Sequence, residues 1–359
     1  MQSGASINLQ RILTTAAEYR ASDLHFTVGN PPILRVDGKL VVLEQEQVVT
    51  PDFMDLVAEM LLTKEQRAQL EIDREIVVAF TLENKIRFKV SMFFQRGFLA
   101  ASLRLISNEI KSLKDLGLPN VVEKFALLTK GLVLVTGPFG SGRTATVAAL
   151  VNEINKMRTA HIITIEKPIE HLYINDRSFI EQREVGRDTK SFKQALETAS
   201  REDVDVIVVS EMEEPDVIES VLTAAESSRL IISSMNTDSV IKTIEMIITN
   251  APSEYEVKIR TQLAGTLQGV VSQRLLPRIG GGRILVAEVM VLSPAIRAVI
   301  RDGALYQLQN ILHTSREEGT ISLDRSLAEL VKTGEILLDD ALMYANDPGN
   351  LKALARAQD

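Results

Sequence analysis

Leu132-Val133-Leu134-Val135-Thr136-Gly137-Pro138-Phe139-Gly140-Ser141-Gly142-Arg143-Thr144 is the stretch that decides the fold of the longer part of this chain. The four apolar residues at its start read as a short strand buried on both faces. A loop with glycines at 137, 140 and 142 follows, and then a segment of helical spacing over about residues 143–157. Glycines let successive backbone N–H groups converge on one point, and a helix N-terminus adds partial positive charge there. A strand, a glycine-rich loop and a helix start, in that order, build a cradle for phosphate oxygens. The residues assigned to it are Gly137, Pro138, Phe139, Gly140, Ser141, Gly142, Arg143, Thr144 and Ala145, with Thr144 placed to ligate Mg2+. A plain glycine-rich turn is the bland alternative, and spacing and context together disfavour it.

Working outward, similar apolar runs recur at Ile162-Ile163-Thr164-Ile165, Val206-Ile207-Val208-Val209 and Leu230-Ile231-Ile232. Helical segments near 143–157, 190–200 and 215–227 separate them, which predicts a mainly parallel α/β sheet. One further strand is expected near Ile284 to Val291, and a mostly helical tail from about 294. Glu166 ends the second run, and Glu211 follows the third after Ser210. Ligands of open α/β sheets bind beyond the carboxyl ends of the strands, so both carboxylates can face a bound nucleotide. One would polarise an attacking water, and the other would hold Mg2+ directly or through water. An acidic residue after a strand is common, and the phosphate loop is what gives these two their functional reading.

The loop carries Arg143 where the phosphate-loop pattern wants Lys. Lys is a compact point charge on a flexible stem, whereas Arg is planar, forked and bulkier, so the exchange is not conservative at such a site. Nucleotide binding is expected to survive at reduced affinity. Hydrolysis is expected to suffer more, because its transition state demands close positioning of charge.

The first third of the chain reads differently. Ile7, Leu9, Ile12, Leu13, Ala16 and Ala17 predict a helix over 7–17, followed by a loop-like segment at Ser22-Asp23-Leu24-His25-Phe26. Asp37-Gly38 reads as a hairpin turn. Thr50-Pro51-Asp52 opens a helix to about Leu62, and Thr63-Lys64-Glu65-Gln66 is a capping box for another. Alternating apolar positions predict strands at 76–82, 86–94 and 99–106, with Glu83-Asn84-Lys85 as the turn between the first two. This is an antiparallel sheet with one buried face, flanked by helices, with Arg87 on its outer face and Arg104 on its last strand. The polar stretch from Ser107 to Asn120 suggests a division into residues 1–107, a linker at 108–120 and a second domain at 121–359.

The composition narrows the function classes. The 359 residues include no Cys and no Trp, which excludes disulfides, thiolate zinc sites, iron–sulfur clusters and a Cys nucleophile. The formal charge is −8. Residues 1–107 hold 12 basic against 13 acidic side chains, leaving 28 against 35 in the remainder. That acidic excess argues against a nucleic-acid partner. No run reaches the length of a membrane span and the start has no signal-peptide pattern, so a cytoplasmic globular protein is expected.

Several further segments carry a resemblance. They are Ala21-Ser22-Asp23-Leu24-His25-Phe26, Pro31-Pro32-Ile33-Leu34-Arg35-Val36-Asp37-Gly38, the phosphate loop, Ile162 to Glu170, and Gln182-Arg183-Glu184-Val185-Gly186-Arg187-Asp188. Arg201-Glu202-Asp203, Thr223-Ala224-Ala225-Glu226 and Gly269-Val270-Val271-Ser272-Gln273 complete the set. From about residue 5 to about 335 the chain resembles the PilT family of type IV pilus retraction ATPases, within the wider secretion-ATPase superfamily. The resemblance implies an N-terminal PAS-like α+β domain, a C-terminal RecA-like P-loop ATPase domain and a ring hexamer. It also implies ATP and Mg2+ bound between domains, twitching motility, and a place on the cytoplasmic side of the inner membrane at the pilus base, beside a membrane platform protein. Arg87, Arg96 and Arg104 lie where such proteins carry cations that act on the phosphates, with Arg87 and Arg104 favoured. Ala295-Ile296-Arg297-Ala298-Val299-Ile300-Arg301-Asp302 matches the helix motif tied to retraction, with changes at Ala298, Val299 and Asp302.

Against that resemblance the departures gather around the nucleotide. Arg143 replaces Lys, Lys167 an Asp, Ser210 a Gly, Glu213 an Arg, Ser228-Arg229 a Gly-His pair, and Asn236 a His. The His can sense a γ-phosphate and change charge near neutral pH; Asn hydrogen-bonds but cannot carry that proton. Lys167 has three readings: a solvated side chain, a partner that compromises Glu166, or a cation that substitutes for a badly placed Arg143. The pattern suggests an ATP-binding ring subunit with weak or absent hydrolysis, acting as an accessory beside an active paralogue or within a mixed ring. An active motor of divergent chemistry and a ring module without nucleotide binding are the alternatives. The absence of Cys separates the chain from assembly ATPases that carry a tetracysteine zinc element.

Overall fold

A computed structural model describes residues 2–36, 38–82, 86–107, 109–250, 253–314 and 319–357. The chain divides into two compact units, one of Met1–Glu109 with Lys167–Leu172, the other of Ile110–Glu166 with Tyr173–Asp359.

In the first unit, helix α1 (Gln2–Glu18) buries Leu9, Ile12, Leu13 and Ala16, the stripe that predicted it. Strands β1 (Asp23–Thr27), β2 (Ile33–Val36) and β3 (Lys39–Val42) follow. Helix α2 (Pro51–Leu61) begins where the Thr50 hydroxyl accepts the Phe53 N–H, with Pro at the first turn. Helix α3 (Lys64–Asp73) begins on the Thr63 capping box, with the Gln66 side chain reaching back to the cap N–H. Caps of this kind contribute about 1 kcal/mol each. Strands β4 (Glu75–Leu82), β5 (Ile86–Gln95) and β6 (Phe98–Ile106) complete an antiparallel sheet in the order β3-β2-β1-β6-β5-β4. One face packs Phe26, Leu34, Phe88, Val90, Met92 and Leu103 into a core with the helices.

One expectation is corrected here. Ser22 to Phe26, read as loop-like, contributes most of β1, which lies inside the sheet between β2 and β6. Its alternation is only five residues long, with Leu24 and Phe26 inward and Asp23, His25 and Thr27 on the other face. A run that short carries little periodic signal. Asp37 of the expected hairpin turn and the Glu83-Asn84-Lys85 turn lie outside the described residues. The second face of the sheet is polar. There Arg104 Nε donates to Asp23 Oδ1 at 2.9 Å. The Lys167–Leu172 segment belongs with this unit. Arg87 donates from Nε and Nη2 to the Ile169 carbonyl and from Nη1 to the Thr81 hydroxyl, while Lys89 Nζ meets Glu170 Oε1 at 2.9 Å.

The second unit has helices on both faces of a seven-stranded sheet. Its strands are β7 (Gly131–Thr136), β8 (His161–Glu166), β9 (Phe179–Glu184), β10 (Val206–Val209), β11 (Leu230–Met235), β12 (Leu267–Pro277) and β13 (Arg283–Val291). The order is β13-β12-β7-β11-β10-β8-β9, parallel except for the β12–β13 hairpin. Its helices are α4 (Arg143–Met157), α5 (Phe192–Ala199), α6 (Pro215–Glu226), α7 (Val240–Thr249), α8 (Glu256–Thr266), α9 (Pro294–Asp302), α10 (Leu308–Thr314), α11 (Leu323–Lys332), α12 (Leu338–Leu342) and α13 (Pro348–Arg356). Every residue of β7, β10 and β11 is buried, as strands covered on both faces require. Val133, Val135, Val206, Val208, Leu230 and Ile232 pack toward α4, while Leu132, Leu134, Ile207, Val209 and Ile231 pack toward α5–α9. Helices α11–α13 enclose a smaller core over Leu276 and Val286 of the hairpin. Among the described residues no helix is long and apolar enough to cross a membrane.

Candidate functional site

The loop between β7 and α4 is shaped by its glycines. Gly140 and Gly142 have φ of 79° and 89°, the left-handed region that side chains other than glycine's rarely adopt. At Gly137 the constraint is space: a Cβ there would stand 2.3 Å from the Gln273 carbonyl oxygen and 2.4 Å from Ser141 Oγ. Gly142 is also the N-cap of α4, and having no side chain it makes no cap hydrogen bond. Helices α5 and α7, in the same unit, begin instead on Ser191 and Ser239, whose hydroxyls accept first-turn N–H groups. The first-turn amides of α4, like those of α6, α8, α11 and α12, are thus left without a side-chain cap, and in α4 they follow directly on the glycine-rich loop. Arg143 is the first residue of that helix, half-buried, and Thr144 beside it is exposed.

The sheet topology points to the same place. From β7 the chain crosses to β8, three strands away, and returns through β10 to β11, the neighbour of β7. From β11 it passes to β12 on the other side of β7. The connections that leave β7 and β11 thus run to opposite sides, and the crevice at such a switch is where open α/β sheets bind ligands. A pocket of about 370 Å³ lies there, lined by Pro138 after β7 and by Asn236, Thr237, Asp238, Lys242 and Met246 after β11. The hydroxyls of Thr237 and Thr243 are 2.6 Å apart, and Thr243 also donates to Thr136 Oγ1. A hydrogen bond from Lys242 leads the causes that hold the Asp238 carboxyl below its usual range; desolvation opposes it, and the charges of Lys242 and Arg274 support it.

At the tip of β8, Glu166 is buried and its Oε1 accepts from Thr164 Oγ1 at 2.7 Å and Gln182 Nε2 at 3.1 Å. Two donors on one oxygen fix its orientation. Desolvation, followed by the charge of Glu166, pushes the Tyr173 phenol well above its usual value. Glu211 is exposed, just beyond β10. Its neighbours tie the loop after β10 to β11: Ser234 Oγ donates to the Ser210 carbonyl, and the Met212 N–H donates to the Ser234 carbonyl. Glu213 accepts the Asn236 N–H at 3.2 Å, and Asn236 itself is exposed.

The structure thus brings Pro138 and Asn236 into one pocket, and sets Glu166 and Glu211 at the carboxyl ends of the same parallel strands. Arg87 and Arg104 lie in the first unit, bonded to Ile169, Thr81 and Asp23. Lys167 is exposed. Sequence reasoning missed the residues that frame the two loops. Gln273 is fully buried, donates to the Ser141 carbonyl and accepts from Thr146. Arg274 donates to the Asp238 carbonyl, and Glu288 on β13 accepts the Val240 N–H that starts α7. Burial pushes the Glu288 carboxyl up. The only advance signal was that Gln273 closes one of the family-like segments. Helix α9 also ties down the end of α8, since Arg297 donates to the Ala264 and Gly265 carbonyls there.

Comparison with known proteins places this geometry. The "Type II/IV secretion system protein" family matches residues 3–281. The chain is 37% identical to the "Type IV pilus retractation ATPase PilT" of Pseudomonas aeruginosa, over 96% of this chain and 100% of that one. It is 36% identical to the "Twitching motility protein" of Neisseria gonorrhoeae, over 91% and 89% of the two chains. Among solved structures, that of the pilus retraction motor PilT with bound ADP superposes with a TM-score of 0.86 at 39% identity, covering 96% of this chain and 98% of the other. The chain belongs to the type II/IV secretion system protein family, in its PilT-like branch of secretion ATPases.

Proposed function

We propose that this protein is a nucleotide-binding subunit of a type IV pilus retraction apparatus, with weak or absent ATP hydrolysis and an accessory role in twitching motility. The observation that carries it is the pairing of an intact phosphate cradle with altered strand tips. Gly140 and Gly142 keep left-handed conformations, Gly137 has no room for a Cβ, and α4 starts on a residue without a side-chain cap, which together support the reading of a phosphate cradle. Asn236 stands where a protonatable His is expected, and Arg143 where a compact Lys is expected.

In this reading residues 137–145 hold the phosphates through backbone amides, and Arg143 supplies positive charge. Bound Mg2+ would neutralise charge on the β- and γ-phosphates, and the residues that would hold it are Thr144, by its hydroxyl, and Glu211. The Thr144 hydroxyl on the first turn and the hard carboxylate oxygens of Glu211 suit that ion. Glu166, fixed by Thr164 and Gln182, orients a water; Asn236 lends a hydrogen bond without a proton to transfer; Arg87 and Arg104 are the cations assigned to developing phosphate charge. The first unit is read as the PAS-like domain (1–107, with a linker at 108–120) and residues 121–359 as the RecA-like ATPase domain. The subunit is read as part of a homo-hexamer or of a mixed ring with an active paralogue. It would work on the cytoplasmic side of the inner membrane, against the pilus platform protein.

A second reading, an active motor of divergent chemistry, is favoured by one observation: Glu166 keeps two hydrogen-bond donors and a buried seat at its strand tip. Phosphate release measured beside a calorimetric titration with ATP–Mg2+ separates the two. Binding with turnover at least about a hundredfold below a typical median near 10 per second supports the first. Robust release that Glu166→Gln abolishes establishes the second. No binding at all leaves only a ring module without nucleotide.

A further inference from the structure

We infer that Gln273 is the positioning residue of the phosphate loop, and that it acts by fixing the orientation of the Ser141–Gly142 peptide. The inference rests on the reading of that loop as a nucleotide site. Gln273 lies on β12, the strand paired with β7 at the register Ser272 opposite Thr136, and it is 0% exposed. Its Nε2 donates to the Ser141 carbonyl at 2.8 Å, and its Oε1 accepts the Thr146 hydroxyl at 2.8 Å. Its backbone oxygen fills the space that a Cβ on Gly137 would need, and its Nε2 stands 3.3 Å from where a Cβ on Gly142 would sit. One residue therefore meets the loop at its first glycine, at its centre and at the first turn of α4.

The consequence follows from peptide geometry. A trans peptide is planar, with its C=O and N–H directed oppositely. A Ser141 carbonyl drawn toward Gln273 turns the Gly142 N–H the other way, away from β12. That peptide turns about ψ of Ser141 and φ of Gly142, and Gly142 offers little steric resistance on its side because glycine populates both signs of φ. Rotation would exchange a donor for a carbonyl oxygen at the loop and repel an anion. The Gln273 amide opposes it with a donor for Ser141 and an acceptor for Thr146, both spent inside a buried site where an unmade hydrogen bond is costly. Leu at this position has neither group. Glu has both only when protonated, since the ionised carboxylate cannot donate.

The experiment is a calorimetric titration with ADP–Mg2+ of wild type, Gln273→Leu, Gln273→Glu and Thr146→Val at about pH 8 and about pH 6. Circular dichroism and melting without nucleotide confirm that each variant is folded. Gln273→Leu is expected to weaken binding at least about tenfold, and Thr146→Val, which keeps the bond to Ser141, by about threefold, in the range set by single buried hydrogen bonds. Gln273→Glu is expected to bind weakly at the higher pH. It should regain most of the loss at the lower pH, because burial raises a carboxyl pKa and the neutral acid reproduces the amide's donor and acceptor. A general packing defect would not recover with a proton. Should Gln273→Leu not fold, the two pH values on Gln273→Glu decide alone. Variants that bind like wild type at both pH values, or a Gln273→Glu affinity no more pH-dependent than that of wild type, overturn the inference while the nucleotide site stands. Wild type that binds no ADP overturns the nucleotide reading and this inference with it.

Discussion

The two halves of the candidate site are built from different materials. Along β7, β12 and the start of α4, the backbone makes the site: three glycines, an uncapped helix start, and Gln273 behind them. At the tips of β8, β10 and β11 the side chains make it. There the residues that depart from the PilT pattern are tied into the framework. Glu213 holds the Asn236 N–H. Ser228 and Arg229 are the exception: they lie at the opposite, amino end of β11, where Arg229 donates to the carbonyls of Ser200, Glu202 and Val204 ahead of β10, so this departure does not gather at the site as the sequence suggested. Ser228 keeps a φ of 62°, a conformation suited to the glycine expected there. A backbone cradle tolerates exchange of the side chains around it, whereas a catalytic side chain has no substitute. The proposed function therefore expects binding and turnover to respond separately to substitution.

The largest effect that would break this contrast is expected at Gly137. Gly137→Ala places a methyl group 2.3 Å from a backbone oxygen on the adjacent strand. Overpacking at that level costs about 3 kcal/mol. Nucleotide binding should fall below detection and the melting temperature should drop by several degrees; unchanged binding would mean the cradle is not where phosphate sits.

The strand tips are sharpened next. The triple variant Arg143→Lys, Lys167→Asp and Asn236→His is expected to raise kcat by about tenfold or more, the scale of a single acid–base or charge-positioning group. The dissociation constant for ADP should change much less. A gain in affinity without a gain in kcat would place the departures in binding instead. Ser228→Gly, at the amino end of β11 and away from the strand tips, should stabilise the fold by about 1 kcal/mol by relieving the left-handed strain, with no change in turnover.

How much of this the sequence disclosed follows the same division. The strand–loop–helix of the candidate phosphate loop was legible because a buried strand, glycines and a helix start are all local signals, and α4 spans the residues expected of it. Strand β9 was missed because Phe179-Ile180-Glu181-Gln182-Arg183-Glu184 is an edge strand, mostly polar and only partly buried, so its apolar alternation is absent. The anchor at Gln273 could not be read, because its partner Ser141 is 132 residues away and no spacing rule links them. Nor does any local pattern show that Lys167–Leu172 belongs with the first unit.

The smallest effect concerns the opposite end of β8. His161 Nδ1 lies 2.7 Å from the Asp203 carbonyl and Nε2 lies 2.9 Å from Glu181, so both nitrogens face acceptors and the imidazolium satisfies both. Desolvation lowers its pKa, but the Asp203 hydrogen bond, that from Glu181, and the charges of Glu181 and Glu202 together hold it above 6.5. A pKa raised on folding adds stability that is complete below the unfolded value and is lost as pH rises through the folded one. Melting temperature should therefore decline modestly as pH climbs from about 6 to about 8, and His161→Gln should flatten that slope. A slope unchanged by the substitution would assign the decline to other groups.

The central claim, a cradle that binds beside strand tips that turn over slowly, is tested most directly by a single-turnover measurement. Protein in excess is mixed with ATP labelled at the γ-phosphate and Mg2+, and bound ATP and released phosphate are followed together. The expected result is rapid, near-complete capture of ATP that then persists for minutes with little phosphate released. Release that keeps pace with capture, within about a second as in a competent motor, would contradict the account.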